Sequence, residues 1–227
     1  MTDDQSMLRG IQLSRVAPTS RQTAHEFVRD TLRQAILNGN LPGGTRLVQA
    51  ELAEILEVST TPVREALRDL VSDGLVRFDP HRGGVVSEIA VEEMEEVYDL
   101  RMLLEAKAMK LAAENMTTDV LDRARSIHVE MRSAPHSAEW VMLNRDFHMT
   151  IYEAADSPKL LAILRGLIDS SVMYVGAVWQ VLPDLRERAG SDHEQILQRL
   201  TIGDSAGAVE VIKRHMTIPR SVLTVDP

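Results

Sequence analysis

The forty residues from 47 to 86, LVQAELAEILEVSTTPVREALRDLVSDGLVRFDPHRGGVV, constrain this chain most. Leu52, Ile55 and Leu56 fall on one face of a short helix, and Glu57-Val58-Ser59 forms a tight turn after it. Val63, Ala66, Leu67 and Leu70 then recur at helical spacing as far as Ser72. Ser59 or Thr61 is suited to cap this second helix, and Pro62 to its first turn. Asp73-Gly74 ends it. Leu75-Val76-Arg77-Phe78 and Gly84-Val85-Val86 read as strands, joined by the basic turn Asp79-Pro80-His81-Arg82-Gly83. Helix, turn, helix and basic hairpin in that order make a winged helix-turn-helix, an arrangement that places one helix in a DNA major groove.

The rest of the chain has a different character. Of 227 residues, 44% are hydrophobic but only 4% aromatic, so Leu, Val, Ala and Met carry the burial and favour helix. Residues 23–38 read as a helix stopped by Gly39, and Thr45-Arg46-Leu47-Val48 as a short strand. Beyond residue 87 the periodicity predicts helices over 90–115, 117–133, 137–155, 157–181, 191–202 and 204–224. Ser137, Ser157, Ser191 and Asp204 are the expected caps. Short connections between long helices imply an antiparallel bundle. The expected fold is therefore mainly α. A flexible arm (1–22) and a winged helix-turn-helix domain (23–87) precede an all-α antiparallel helical bundle (88–227).

The absence of cysteine excludes disulfides and thiolate metal sites. No apolar run approaches the roughly 18 residues of a membrane span, and MTDDQSMLRGIQ lacks a secretory core. A cytoplasmic protein is expected. The net charge of −9 is divided unevenly. Residues 1–87 carry ten Arg, no Lys and eleven acidic residues, whereas 88–227 carry 15 basic and 23 acidic ones. An Arg-only basic set in the first part suits bidentate contacts to guanine edges and phosphates.

With its apolar face buried, the second helix of the motif exposes Ser59, Thr60, Thr61, Arg64, Arg68 and Asp69. Arg64, in the first turn, is placed to meet base edges, and a surface ion pair with Glu65 or Asp69 is its alternative use. Arg82 lies between His81 and Gly83-Gly84 at the wing, where glycine permits close backbone approach to a groove. LPGGTRL, LAEILEVSTTPVREALRDLVSDGLV and PHRGGVV together resemble the GntR-type winged helix domain over about residues 23–87. The resemblance implies operator DNA as partner and carries DNA contact to Ser59, Thr60, Thr61, Arg64, Arg82 and Gly83; Arg68, one turn on, is added from its place on the helix. Family members commonly have Arg at the positions of Ala50 and Thr60 and Gly at that of Glu57, so no operator sequence is transferred.

In the second part Asn144 and His148 are i and i+4 on one helix face, with His193 expected in the first turn of a later helix and His215 within the last. Neutral imidazoles from three helices suit Zn or Ni, with Mn or Fe where oxygen ligands join. RMLLE (101–105), NRDFH (144–148), His193 and His215 resemble the FCD effector domain of the FadR subgroup over about residues 92–220. That resemblance implies a divalent metal, zinc first and Ni or Mn next, held by Asn144, His148, His193 and His215. The family commonly has Asp where Asn144 stands. A first shell without a protein anion should attract an anionic ligand, and Arg101 is the expected partner for the carboxylate of a small effector. Its alternative use is an i,i+4 pair with Glu105.

No HExxH helix and no nucleophile elbow are present, so enzymatic activity is not expected. The expectation is a homodimeric transcriptional regulator, a repressor, in which a small organic acid shifts the helical domain. The alternatives are a helical domain that only dimerises, or binds its ligand without metal, and a metal-dependent enzyme fused to a DNA-binding module.

Overall fold

The computed structural model describes residues 23–79, 83–88, 91–134 and 137–223. The expected arm (1–22) and the wing-tip residues Pro80, His81 and Arg82 lie outside them. The chain divides into two compact units, Met1–Ile89 and Ala90–Pro227.

In the first unit, α1 (Ala24–Leu37) begins with a reciprocal cap. The Glu26 N–H donates to Thr23 Oγ1 at 3.2 Å, and the Thr23 N–H donates to Glu26 Oε2 at 2.9 Å, which satisfies two amides that the helix leaves open. Phe27, Val28, Leu32, Ala35 and Ile36 form its buried face. After β1 (Arg46–Leu47) come α2 (Gln49–Ile55) and α3 (Thr60–Ser72), then β2 (Val76–Asp79) and β3 (Gly83–Val86). The sheet order is β1-β3-β2, antiparallel throughout, with Val76 opposite Val86 and Phe78 opposite Gly84. Val63, Ala66, Leu67 and Leu70 of α3 are buried, as their spacing predicts. Ser59 occupies the N-cap position of α3 but makes no side-chain cap bond.

The second unit comprises α4 (Val91–Glu114), α5 (Thr118–Ser133), α6 (Ser137–Glu153), α7 (Pro158–Val181), α8 (Pro183–Thr201) and α9 (Ser205–Leu223). Helix α4 packs on α7 and α9, α5 on α6 and α8, and α8 on α9. Ser157 stands at the N-cap of α7 but makes no side-chain cap bond. The helix expected over 191–202 starts at Pro183, so Ser191 is no cap and His193 lies mid-helix. Its first turns, Asp184-Leu185-Arg186-Glu187-Arg188, carry one apolar residue and so show no apolar period. Pro183 at the first helical position marks the true start. Asp204 does cap α9, accepting from the Gly207 N–H at 2.8 Å.

Glu57, between α2 and α3, has φ 57°. A left-handed conformation costs an L-residue about 1–2 kcal/mol, offset partly by the extra chain entropy that glycine loses. Glu57→Gly should therefore raise the unfolding free energy by about 0.5–1 kcal/mol in urea denaturation.

Candidate metal centre and nucleic-acid interface

Helix α6 supplies His148, α8 His193 and α9 His215. Their rings meet inside the bundle, with centroids 5.0 Å apart for His148–His193, 5.0 Å for His148–His215 and 4.8 Å for His193–His215. One nitrogen from each lies within 4.8 Å of the others. Exposure is 1%, 0% and 6% respectively, so bulk water does not serve them. Among the described residues, both nitrogens of His148, both of His193, and Nδ1 of His215 have no hydrogen-bond partner. Asn144 Oδ1, one turn before His148 on α6, is buried and equally without a partner.

Aromatic rings wall the cluster. Phe147 lies 4.5 Å from His193, Trp140 stacks on His193 at 6.2 Å, and Tyr152 stacks on His148 at 6.0 Å. Burial, and then the neighbouring His215, hold the His148 and His193 pKa values well below the usual imidazole range. Neutral imidazole is the form that ligates a metal. Unpaired buried polar atoms are unfavourable by about 1–3 kcal/mol each. A divalent ion bound by the three histidines would satisfy one nitrogen of each and leave coordination positions open. The three-histidine donor set therefore fits a metal.

Arg101 and Glu105 of α4 are buried together, at 4% and 0% exposure. Arg101 Nε donates to Glu105 Oε1 at 2.7 Å, its Nη1 to Ser171 Oγ at 2.6 Å, and its Nη2 lies 3.8 Å from Met216 Sδ. The other Glu105 oxygen accepts the Tyr152 hydroxyl at 2.6 Å. The alternative use of Arg101 is thus realised. Burial alone would lower the guanidinium pKa, but Glu105, with Tyr98 and Tyr152, more than offsets it and raises the value. Of its contacts, only the thioether at Nη2 is a weak acceptor. Sequence reading placed Arg101 but missed Tyr152, which links Glu105 to the His148 ring. Its i+4 spacing from His148 was the available signal. A fourth imidazole, His128 on α5, lies 6.0 Å from His193 and lines a cleft of about 590 Å³ with Arg132 and Arg186.

In the first unit Ser59, Thr60, Thr61, Arg64 and Arg68 are all exposed. Among the described residues neither Arg64 nor Arg68 forms an ion pair. Asp69, the alternative partner for Arg64, takes His25 Nε2 at 2.8 Å and Arg29 at 4.0 Å instead. Gly83 has φ 78°, and a Cβ there would meet nothing within 4 Å, so the start of β3 is open to close approach. Sequence reading missed Phe78. It is 72% exposed and lines a notch of about 460 Å³ with Arg64, Arg68 and Val71. Period-2 spacing groups it with buried Val76, and only its place at the outer end of the hairpin leaves it uncovered.

Residues 24–86 match the gntR family of bacterial regulatory proteins, and residues 96–217 match the FCD domain. The chain belongs to the GntR family of regulators that carry an FCD domain. It is 32% identical over 143 residues to the HTH-type transcriptional regulator McbR of Escherichia coli, a segment covering 62% of this chain and 65% of that protein. It is 29% identical over 225 residues to the gluconate operon transcriptional repressor of Bacillus subtilis, covering 95% and 89%. A D-xylose utilization operon repressor of Paenarthrobacter nicotinovorans, described as probable, is 28% identical over 200 residues, covering 87% of both chains. The solved structure of E. coli McbR/YncC superposes with a TM-score of 0.67 at 26% identity, over 89% of this chain and 97% of that one. These relatives are transcriptional regulators and not enzymes, and this chain is a transcriptional regulator with a DNA-binding domain. No helix among the described residues is long and apolar enough to cross a membrane.

Removing one partner of a buried ion pair strands the other charge, at about 3–5 kcal/mol. Glu105→Ala should lower the unfolding free energy by about that amount in chemical denaturation. Glu105→Gln, which still accepts from Arg101 or Tyr152, should lower it less.

Proposed function

We propose that this regulator is a homodimeric repressor whose helical unit binds a small organic acid at a divalent metal held by His148, His193 and His215, with Asn144 as a fourth donor. The observation that carries this reading is the set of buried imidazole nitrogens without partners, gathered from three helices. Zinc fits three nitrogen donors best, with nickel and manganese the alternatives. A centre of neutral donors keeps the full charge of the ion and so attracts an anion. The relative named for the gluconate operon supports a small carboxylate as the ligand class. Arg101 is the candidate second anchor, and a carboxylate reaching it would compete with Glu105 and displace the Met216 thioether. The pairing of Arg101 with Glu105 and Ser171 favours one variant of this reading, in which the acid is held by the metal alone and Arg101 serves the packing of α4.

Operator DNA is read by Arg64, the fifth residue of α3, with Ser59, Thr60, Thr61, Arg68, Arg82 and Gly83 meeting the backbone and the minor groove. The division into units follows the two roles: arm 1–22, DNA-binding domain 23–87, and effector and dimerisation domain 88–227, in a cytoplasmic protein. The effector acts by its difference in affinity for two packings of the helical unit, which changes the spacing of the paired reading heads.

Elemental analysis of untagged protein should find about one divalent metal per chain, lost in His148→Ala. A folded wild-type protein without metal would remove the centre from the mechanism. Arg64→Ala should weaken specific DNA binding by about 1–3 kcal/mol and relax base preference in a site-selection experiment. An unchanged selected sequence would take Arg64 out of base readout.

A further inference from the structure

We infer that Asp192 is the supporting carboxylate of the histidine centre: it accepts the Nδ1–H of His215 and so turns the Nε2 lone pair of His215 toward the ion. This rests on the reading of the cluster as a metal site. Asp192 lies on α8 and is 6% exposed. Its Oδ2 stands 3.7 Å from Nδ1 of His215 on α9. No other described group bonds that nitrogen. Its Oδ1 is held from the far side by Arg214 of α9, through Nε at 3.1 Å and through Nη2.

Chemistry assigns the rest. A neutral imidazole carries one proton, and the nitrogen that bears it cannot ligate. A carboxylate beside Nδ1 stabilises the proton there and leaves Nε2 as the donor. A metal-bound histidine ordinarily gives its second N–H to such a group, which fixes the tautomer and raises the basicity of the ligand. At 3.7 Å the contact is longer than a hydrogen bond. A modest turn of the ring, as Nε2 moves onto an ion, would close it. Adjacent residues on a helix diverge by about 100°, so one turn of α8 sends His193 into the cluster and Asp192 behind His215. Asp192 is accordingly a positioning residue and not a ligand. The Arg214 pair keeps its carboxylate facing α9.

The test is zinc affinity, measured by competition with a chromophoric chelator, for the full-length wild type, D192A, D192N and R214A. Long-range ¹H–¹⁵N spectra of zinc-loaded wild-type protein report the His215 tautomer alongside. D192A should weaken zinc binding by about 10–100-fold. D192N, whose amide oxygen still accepts the Nδ1–H, should recover much of that loss. R214A removes the ion pair between α8 and α9 but leaves Oδ2 behind the ring, and should stay close to wild type. The spectra should show His215 protonated at Nδ1 and zinc-bound through Nε2. Unchanged affinity in D192A overturns the inference, as does a loss in R214A equal to that in D192A, which would make Asp192 a helix clamp. Ligation through Nδ1 overturns it without any variant. Wild-type protein that binds no zinc overturns the metal reading itself, and that failure is distinct from the other three.

Discussion

Three imidazoles buried without hydrogen-bond partners are the feature around which the helical unit is organised. A packed interior does not tolerate unpaired polar atoms cheaply, and five ring nitrogens of His148, His193 and His215 are in that state. Ordinary core design would place Leu or Phe there. Instead α6, α8 and α9 each bring one imidazole to a common point, behind a wall of Phe147, Trp140 and Tyr152 that excludes water. Burial holds the His148 and His193 pKa values well below the usual imidazole range, and neutral imidazole is the form that donates to a metal. An ion at that point would join three helices that are separate in sequence, so its coordination geometry and their packing would be one variable. A ligand that changes the former has direct purchase on the latter.

The second polar element of the core lies one residue layer away. Arg101, Glu105 and Tyr152 form a chain from α4 to α6 that ends with the Tyr152 ring on His148. Each strong donor in that chain has a partner except Nη2 of Arg101, which faces the soft sulfur of Met216, next to His215 in sequence. An anion that took Arg101 from Glu105 would therefore disturb contacts to two of the histidine-bearing helices, α6 and α9. Such a network is stable when fully paired and responds sharply when one partner is exchanged.

Much of this was legible in the sequence because apolar spacing and turn residues act locally. Leu70, Val63 and Ala66 predicted the buried face of α3, Gly74 its end, and Asp204 the cap of α9. The histidine cluster was legible only as a set. Asn144 and His148 share a face by spacing, whereas His193 and His215 meet His148 through packing that no local pattern encodes. The early start of α8 was hidden because its charged first turns have no apolar period. Glu105 as the partner of Arg101 could be read from i,i+4 spacing, but the hydroxyls of Ser171 and Tyr152 that complete the network come from α7 and α6. Phe78 stayed exposed for a tertiary reason, the absence of any described element over the outer end of the hairpin.

The central claim is that these imidazoles exist to hold an ion. Anomalous diffraction at the zinc edge, from crystals of untagged protein grown with zinc, tests it most directly. A histidine-held zinc gives a single peak about 2.0–2.1 Å from one nitrogen of each of His148, His193 and His215. No peak at that point, with the imidazoles bonded to water or to one another, would contradict it.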